Sequence, residues 1–413
     1  MKALVIGGGI GGFVMAMSLH RVGIECEVFE QSAGVRELGV GINTLPHAIK
    51  ELAELGLLDA LDKVAVRTHE LIYKNRFGQT VWQEPRGTDA GYDFPQFSIH
   101  RGHLQGVLYE GARARIGDEN IHLGHQFTSF DQDDNGVTAT FTLRDGTTAT
   151  ATGDLLIACD GIHSKVRASF YPDQGPPTWN GILLWRGAIE HKKFLTGRSM
   201  IIAGGMKAKL VLYPISNNTG SDDTNLLNWA VAAKLGDGST PMPNREDWNR
   251  KGKLDELLAH VEGVFELDEV DPVEVIKSTP EFFEYPMCDR DPIPNWSFGR
   301  VTLLGDSAHP MYPVGSNGAS QAILDARCLS DMLGASNDIV QVLKDYSTER
   351  VRATTEIVRQ NRGGGPERVI DVIEERAPDG FDNIDEVASH DEREAIVKGY
   401  STLAGYEKSQ VNK

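Results

Sequence analysis

A glycine-rich run near the start of the chain has the residue types and spacing that bind a pyrophosphate: Gly7-Gly8-Gly9-Ile10-Gly11-Gly12. It follows the apolar segment Lys2–Ile6 and opens a segment of helical pattern, Gly11–Val22. In a GxGxxG turn the first glycine allows the tight turn, the second leaves room for the ligand, and the third lets helix and sheet approach closely. The helix start adds free N–H groups and partial positive charge. The pattern predicts a dinucleotide site that includes Gly7, Gly9, Ile10, Gly11 and Gly12.

An acidic residue stands where such a unit needs one. Glu30 ends the strand-like segment Glu25–Glu30, which follows the helical segment and its stop at Gly23. A carboxylate in this place accepts hydrogen bonds from ribose hydroxyls and repels a 2′-phosphate. Strand, helix, strand and acid all fall within residues 2–30. This context favours a bound dinucleotide over a glycine-rich turn without a ligand.

Two other turns carry an aspartate beside a glycine directly after an apolar strand. Asp160-Gly161 follows Leu155–Ala158, and Gly305-Asp306 follows Arg300–Leu304. A glycine lets the backbone approach a ligand, and an aspartate accepts hydrogen bonds from hydroxyls. Alone, Asp160-Gly161 is better interpreted as an ordinary turn after a strand, and a helix N-cap also explains Asp306. Their meaning comes from their combination with the first motif.

Together the three motifs resemble the single-component FAD-dependent aromatic hydroxylases, the group of p-hydroxybenzoate and salicylate hydroxylases. The resemblance covers about residues 1–360 and rests on the glycine-rich run, on Asp160–Arg167 and on Gly305–Ala319. Further stretches are similar to the 5-methylphenazine-1-carboxylate 1-monooxygenase branch, among them Leu38–Asn43, Trp185-Arg186-Gly187 and Tyr285-Pro286-Met287. One small departure is Ser307, where family members often have alanine.

The resemblance implies that FAD is the dinucleotide and assigns residues to its parts. Glu30 would hold the adenosine ribose, Arg101 the ribityl–pyrophosphate region, and Asp306 the ribityl chain. Pro313–Gly318 would line the isoalloxazine, with backbone N–H groups of Gly315, Asn317 and Gly318 near its pyrimidine edge. Asp160 and Gly161 would serve FAD and the docking of NADH or NADPH, with Arg167 as an assisting cation. Further implied cofactor contacts are Gln31, Arg36, Gly41, Gly305 and Pro313.

The activity that the resemblance implies is hydroxylation of an aromatic or N-heteroaromatic ring. NADH or NADPH would reduce the flavin, dioxygen would add at C4a, and the hydroperoxide would deliver the hydroxyl group. Decarboxylation would follow if the hydroxylated carbon bears a carboxylate. Tyr312 and Pro313 are the residues expected nearest the reaction. Trp185, Tyr213 and Tyr312 are candidate substrate contacts, because aromatic faces and phenolic hydroxyls suit flat, partly polar rings.

Several alternatives remain open in the sequence. Ordinary sheet packing explains Trp185 and Tyr213 at least as well as a substrate pocket does. His100 and His103 form an HxxH without an acidic third ligand nearby, so no metal site is expected. The same scaffold could also serve a flavin-dependent dehydrogenase or reductase that makes no use of oxygen, or a non-catalytic flavoprotein that acts as a binding module.

The elements that must position these residues predict a mixed α/β chain. We expect a Rossmann-type FAD-binding domain with an interface helix, interrupted by a substrate domain built on a mixed or antiparallel β-sheet and followed by C-terminal helices. The predicted FAD-binding segments are 1–70, 101–176 and 295–362, the substrate segments are 71–100 and 177–294, and a helical arm spans 363–413. Predicted helices include Arg101–Ile116, Asp247–Glu262, Ser316–Leu333 and Ile339–Arg362.

Composition narrows the classes of function. The 413 residues carry 41 Lys+Arg against 59 Asp+Glu, a formal net charge of −18. Such a surface repels phosphate backbones and anionic lipid, so nucleic-acid and membrane partners are not expected. The four cysteines are scattered without a CxxC, which is typical of reduced thiols. We therefore expect a cytoplasmic enzyme, monomeric or homodimeric, whose partners are a small aromatic or heteroaromatic substrate and dioxygen.

Overall fold

The computed structural model describes residues 1–34, 40–205, 207–239, 242 and 250–413. Its β-strands, numbered along the chain, are β1 Lys2–Ile6, β2 Glu25–Glu30, β3 Gly41–Thr44, β4 Ala65–Arg67, β5 Glu70–Lys74, β6 Thr80–Pro85, β7 Phe97–His100, β8 Ile121–Leu123, β9 Gln126–Gln132, β10 Val137–Thr142, β11 Thr148–Gly153, β12 Leu155–Ala158, β13 Thr178–Lys192, β14 Ser199–Ala203, β15 Ala208–Ser216, β16 Thr224–Lys234, β17 Phe282–Asp289, β18 Ser297–Phe298 and β19 Val301–Leu303.

The α-helices, numbered in the same way, are α1 Ile10–Arg21, α2 Pro46–Glu54, α3 Leu58–Asp62, α4 Arg101–Ile116, α5 Lys165–Phe170, α6 Leu254–Leu258, α7 Pro272–Ser278, α8 Gly318–Ala335, α9 Ile339–Arg362, α10 Arg368–Arg376, α11 Ile384–Val387, α12 His390–Leu403 and α13 Lys408–Val411. Short 3-10 turns include Gly305–Ser307, Val314–Ser316 and Gly365–Glu367. No helix of the described ranges combines the length and the apolar character that crossing a membrane requires.

A six-stranded sheet carries the nucleotide-binding pattern, in the order β18-β19-β12-β1-β2-β8. All neighbouring pairs are parallel except β18 with β19 at the edge. Strands β1 and β12 are almost entirely buried, as expected for a parallel sheet covered on both faces. The carboxyl ends of β1, β12 and β19 therefore meet at one edge, and the glycine-rich turn and the two glycine–aspartate turns follow these ends. Ligands bind at such an edge in open α/β sheets.

A seven-stranded sheet forms the second large layer, in the order β17-β13-β16-β15-β14-β5-β6. Its pairs are antiparallel except for β14 with β5, so the sheet is mixed. Side chains alternate between its faces, and the two faces bury different clusters. The outer face packs Trp185 and Trp229 against Val275 and Ile276 of α7. The inner face carries Tyr213 and Ile215, which share a cluster with residues of α10 and α12.

The architecture confirms the predicted fold class, with two local differences. Only Leu254–Leu258 of the predicted helix Asp247–Glu262 is α-helical; the following residues form i→i−3 turns that end at Gly263, where φ is +71°. Residues 247–249 lie outside the described part of the chain. The second difference concerns β7, which we assigned to the substrate segment 71–100. It pairs with β3 and β4, so its hydrogen bonds join it to segment 1–70.

The C-terminal arm, residues 363–413, is packed rather than peripheral. Val369, Ile370 and Ile373 of α10 and Val397 of α12 are buried in the inner-face cluster. At the very end of the chain, the Nζ of Lys50 on α2 donates to the backbone carbonyl of Val411 at 3.0 Å. The arm thus contacts both the seven-stranded sheet and the first segment of the chain.

The close approach of backbones in the glycine-rich turn leads to a stability prediction. A Cβ on Gly12 would lie 1.9 Å from the backbone oxygen of Gly7, so Gly12→Ala forces the turn apart. We expect it to lower the free energy of unfolding by about 1–3 kcal/mol or more in chemical denaturation. The matched control is Gly399→Ala, in α12, where a Cβ meets nothing within 4 Å. That change should raise the free energy of unfolding by about 0.5–1 kcal/mol; equal effects of both substitutions would contradict this account.

Candidate active site

The glycine-rich turn forms an open cradle at the carboxyl end of β1. Gly7 has φ +106°, and a Cβ on it would lie 2.4 Å from the backbone oxygen of Cys159. Gly9 is the N-cap of α1 and provides no side-chain cap to the first turn of the helix. A Cβ on Gly9 would meet no atom within 4 Å. The turn is thus closed on the protein side and open on the other, where the free N–H groups of Ile10 and Gly11 begin the helix.

The acid at the end of β2 is held beside this cradle. The Glu30 carboxylate accepts the Gly8 N–H at 2.7 Å on one oxygen and the Ser32 N–H at 2.7 Å on the other. Each carboxylate oxygen can accept a further bond, so both remain able to receive a ribose hydroxyl. Gln31 is exposed next to it. Arg36, the other predicted contact of this stretch, lies outside the described residues.

Asp160 and Gly161 present a second polar edge after β12. One Asp160 oxygen accepts the Lys165 N–H at 2.9 Å, while the buried Oδ1 has no hydrogen-bond partner among the described residues. Burial raises the pKa of this carboxyl, and a hydrogen bond from the Ser164 side chain, followed by backbone donors, opposes the rise. Gly161 has φ +76°, and a Cβ there would meet nothing within 4 Å. A buried acceptor beside open backbone is what a hydroxyl-bearing ligand would satisfy.

Arg167 of α5, which we predicted to assist nicotinamide docking as a cation, is enclosed by protein groups. Its guanidinium is 2% exposed and donates to the backbone oxygens of Ser307, Ala308 and Asp291, at 3.2, 2.6 and 2.9 Å, and to the Gln174 side chain at 2.7 Å. Burial lowers its pKa to about 10, and Arg290 adds to the lowering. These donors tie the turn after β19 to α5. The enclosure of the guanidinium by protein carbonyls disfavours the predicted role of an assisting cation for nicotinamide docking.

The turn after β19 places Asp306 at the same edge of the six-stranded sheet as the turns that follow β1 and β12. We call the space along this edge the cleft. Gly305 has φ +64°, Ser307 is fully buried, and Asp306 between them is exposed to the cleft. Protein around the cleft keeps water partly away and raises the pKa of the Asp306 carboxyl, while His309 and Arg101 oppose the rise. The Ser307 hydroxyl donates to the Ala158 carbonyl at 2.6 Å. A serine at this position therefore joins β12 to the turn, which alanine cannot do.

Arg101 begins α4 near Asp306. Its backbone N–H donates to the Val40 carbonyl at 2.9 Å, which fixes the start of the helix. Burial lowers the pKa of the guanidinium, and the Asp306 carboxylate opposes this lowering. The structure thus brings together a cation and an anion that the sequence separates by two hundred residues. A ligand that carries hydroxyl and phosphate groups could form hydrogen bonds and ion pairs with these two side chains.

Sequence reasoning missed a buried carboxylate that holds this turn. Asp325 of α8 is 0% exposed and accepts the Gly305 N–H at 3.0 Å, the His309 Nε2 at 2.6 Å and the Arg350 Nε at 2.6 Å. Burial alone would raise its pKa, but His309 and Arg350 outweigh this and lower it to about 2. His309 therefore contributes to the support of the turn. The signal was an aspartate between the apolar residues Leu324 and Ala326 of a helix, since a buried carboxylate requires a partner.

Loop 312–318 runs from Tyr312 to Gly318 and leads into α8. Pro313 is exposed to the cleft, and Gly315 and Ser316 have φ +66° and +55°. The Gly315 N–H donates to Glu367 Oε1 at 3.3 Å. This corrects the prediction that Gly315 offers its N–H to a flavin. Asn317 is fully buried, and Gly318 opens α8, whose first N–H groups lack partners within the helix.

The three residues predicted to contact the substrate lie in three different clusters of the structure. Tyr312 is 2% exposed and packs with Ile182, Met287 and Val314. Tyr213 lies on the inner face, where a Cβ on Gly41 would be 2.7 Å from its ring. Gly41 is thus packed beneath the sheet, and its N–H donates to Asn228 at 2.6 Å.

Trp185 lies on the outer face, stacked on His260 with ring centroids 5.4 Å apart. Successive residues of a strand point to opposite faces, so Trp185 points away from the inner face, and this packing gives no support to its prediction as a substrate contact.

The same alternation turns Arg186 to the inner face. Its guanidinium lies 5.9 Å from the centroid of the Tyr285 ring. Burial lowers its pKa to about 9, Arg101 adds to the lowering, and Tyr285 and Tyr213 oppose it. We call these four residues, Arg101, Arg186, Tyr213 and Tyr285, the arginine–tyrosine cluster. Two cations among phenol rings favour a flat anion.

Comparison with known proteins gives consistent matches over nearly the whole chain. Residues 1–176 and 245–361 match the family model described as FAD binding domain. A phenazine 1,6-dicarboxylic acid hydroxylase of Lysobacter antibioticus is 40% identical over 363 residues, 87% of this chain and 88% of that protein. A 3-amino-4-hydroxybenzoate 2-monooxygenase of Streptomyces platensis is 30% identical, over 89% of this chain and 88% of that protein. The crystal structure of Klebsiella pneumoniae HpxO with FAD and uric acid has a TM-score of 0.75 and 25% identity, over 100% and 96% of the two chains.

The position of Asp306 leads to a test of the cleft. Because its side chain is exposed there and does not support the fold, we expect Asp306→Ala to fold normally but to lose bound flavin. The measurement is the ratio of flavin to protein absorbance after gel filtration, with circular dichroism as the check on folding. The control is Asp222→Ala, an exposed aspartate in a turn of the seven-stranded sheet. A purified Asp306→Ala protein with the full flavin content would refute the assignment.

Proposed function

This chain belongs to the FAD-binding-domain family and is a single-component FAD-dependent aromatic hydroxylase, and from this premise we propose that its substrate is a carboxylated N-heteroaromatic compound of the phenazine type. NADH or NADPH would be the reductant and dioxygen the second substrate. The similarity to a hydroxylase of phenazine 1,6-dicarboxylic acid supports the ring system. The arginine–tyrosine cluster supports the carboxylate.

The residues of the cleft fit the parts of FAD. The cradle opened by Gly9 suits the pyrophosphate, and Glu30, fixed by two backbone donors, retains acceptor capacity for the adenosine ribose. The exposed Asp306 and the unpartnered Oδ1 of Asp160 suit hydroxyl groups. Pro313 and the first N–H groups of α8 would face the ring system. When bound, FAD supplies the reduction of dioxygen and the transfer of one oxygen atom to the ring.

The chain's own residues would then perform three tasks. Loop 312–318 and α8 hold the ring system in place beneath the inner face of the seven-stranded sheet. Apolar side chains of that face, such as Met287, pack with Tyr312 of the loop and exclude water from the site of oxygen transfer. Arg186 orients the substrate by its carboxylate, so that one ring carbon lies within reach of the transferred oxygen. Tyr312 and Pro313 remain the residues that we propose nearest to that carbon.

The observation that carries this proposal is the pair of buried arginines on the cleft side. Arg101 lies near Asp306, which opposes the burial effect on its pKa, and Arg186 lies close enough to Arg101 for each charge to act on the other. The ring of Tyr285 lies beside the Arg186 guanidinium. Two guanidiniums beside phenol rings give this side of the cleft a positive charge and flat surfaces, which suit the carboxylate of an aromatic substrate.

We also propose that the two large layers act as domains. The FAD-binding part comprises 1–70, 101–176 and 295–362, with β7 added to it, and the substrate part comprises 71–96 and 177–294. The proposal is supported by strand pairing, because β5 and β6 belong to the same sheet as β13–β17. The cleft between the layers is where FAD and substrate would meet.

The reaction is tested with a substrate panel. FAD-loaded protein is given phenazine-1-carboxylate, phenazine-1,6-dicarboxylate, 3-hydroxybenzoate or a quinoline carboxylate, with NADH or NADPH, under ¹⁸O-labelled dioxygen. We expect the phenazine carboxylates to stimulate oxidation of the nicotinamide most and to yield product with one labelled oxygen. Turnover without oxygen, or product without label, would instead indicate a dehydrogenase or reductase. Bound FAD without any stimulated oxidation would indicate a binding module.

The role of Arg186 is tested by pairing two substrates. We expect Arg186→Met to raise the KM for the phenazine carboxylate by about tenfold to a hundredfold, the range of a lost charge-assisted hydrogen bond. The corresponding carboxamide should change little, and Arg186→Lys should restore part of the loss. The flavin content of each variant is the control for an intact cleft. Equal losses with both substrates would show that Arg186 does not bind the carboxylate.

A further inference from the structure

A buried ion pair joins three separate parts of the protein beside loop 312–318. The Nζ of Lys209, on β15, pairs with Glu367 of the arm, and their side chains are 9% and 7% exposed. The other Glu367 oxygen accepts the Gly315 N–H of the loop at 3.3 Å. One carboxylate therefore contacts a strand of the seven-stranded sheet and the backbone of the loop at once.

The arm touches the loop at a second point through Tyr400 of α12. A Cβ on Gly315 would lie 2.6 Å from the Tyr400 ring, so ring and backbone are in direct contact. The Tyr400 hydroxyl donates to Asn361 Oδ1 at 2.7 Å and accepts the Asn317 Nδ2 at 3.4 Å. Asn361 in turn donates to the Tyr312 carbonyl at 3.1 Å. Both ends of the loop are thus tied to the arm or to the end of α9.

The loop needs such support because of its backbone. Ser316 is a non-glycine residue at φ +55°, directly after Gly315 at φ +66°. Conformations of this kind persist only where the surroundings impose them. The glycine-rich breaker at the start of the arm allows the necessary contact: Gly365, at φ +52°, approaches so closely that a Cβ on it would be 2.9 Å from Val314.

We infer that Glu367 and Tyr400 are positioning residues for the flavin: through Gly315 and Asn317 they set the position of loop 312–318 against the ring system, and Lys209 couples that position to the sheet above the substrate. This inference rests on the proposed placement of the ring system beside the loop. A purely structural role for the pair is a weak explanation, because burying a lysine and a glutamate costs about as much as their attraction returns.

A second buried pair provides a matched control. Lys74 Nζ lies 2.7 Å from Glu269 Oε1, with side chains 8% and 15% exposed, and Lys74 is on β5 of the same sheet. This pair has the same chemistry and similar burial, and no contact with loop 312–318 connects it to the cleft among the described residues. Its removal reports what the loss of a buried pair does to stability alone.

The experiment compares Glu367→Gln, Lys209→Met and Tyr400→Phe with the controls Glu269→Gln and Lys74→Met. Glu367→Gln keeps an acceptor for the Gly315 N–H and removes the charge, and Tyr400→Phe keeps the ring on Gly315. The measurements are the Kd for FAD by fluorescence quenching, the visible absorption band of the bound flavin, and the thermal midpoint. We expect the first three variants to weaken FAD binding by about tenfold and to shift the flavin band. The controls should lower only the thermal midpoint.

The double variant Lys209→Met/Glu367→Gln sharpens the result. If the two residues act as one unit, it weakens FAD binding no more than the worse single variant. If Glu367→Gln and Tyr400→Phe bind FAD with the same affinity and spectrum as a wild-type protein that takes up flavin, this inference is overturned. The proposed placement of the cofactor would then still stand. Wild-type protein that takes up no flavin would instead overturn the proposed placement of the cofactor, and the inference with it.

Discussion

The cleft depends on how closely three backbones approach one another at the carboxyl edge of the parallel sheet. Gly7 touches the carbonyl of Cys159, and Gly12 touches the carbonyl of Gly7, at distances that no Cβ could share. These contacts bring the ends of β1 and β12 together and let α1 begin immediately above them. An open cradle can form only because the glycines close the protein side of the turn completely. The positions of Glu30 and Asp160 follow from this approach, since each lies at the end of one of the adjoining strands.

Polar groups around the cleft divide into those that hold loops and those that face a ligand. Asp325 and Arg167 belong to the first kind: every strong partner that they have is a protein donor or acceptor, and both are almost completely buried. Asp306 and Asp160 belong to the second kind, because part of their hydrogen-bonding capacity is directed toward the cleft. The groups that hold the loops fix the positions of the groups that face a ligand. Without Asp325, nothing would fix the N–H of Gly305, and the carboxylate of Asp306 next to it would lose its direction.

Local patterns in the sequence predicted most of the fold and only part of the site. Strand β2, strand β12, helix α4 and helix α9 have the predicted bounds, because each has a strong hydrophobic period and a clear start or stop. The glycine turns were predicted from their places after apolar strands, and the FAD cofactor from the resemblance of the three motifs to a hydroxylase family. The surroundings of Trp185 and Arg167 could not be predicted, because they depend on contacts distant in sequence. The face that Trp185 occupies is set by strand pairing, and the three carbonyls around Arg167 come from residues more than a hundred positions away. Arg186 and Asp325 were missed for the same reason.

The C-terminal arm shows why a chain of this kind extends beyond its two large layers. The arm covers part of the inner face of the seven-stranded sheet, where Ile370 and Val397 are buried against it. Covering this surface already requires an apolar helix pair. Once the helices lie there, their polar side chains reach loop 312–318 and add to the hydrogen bond that Asn361 of α9 donates to the Tyr312 carbonyl. Glu367 links the loop to the sheet through Lys209, and Tyr400 links the loop to the end of α9. The loop that lines the proposed ring site is thus held by all three parts of the molecule.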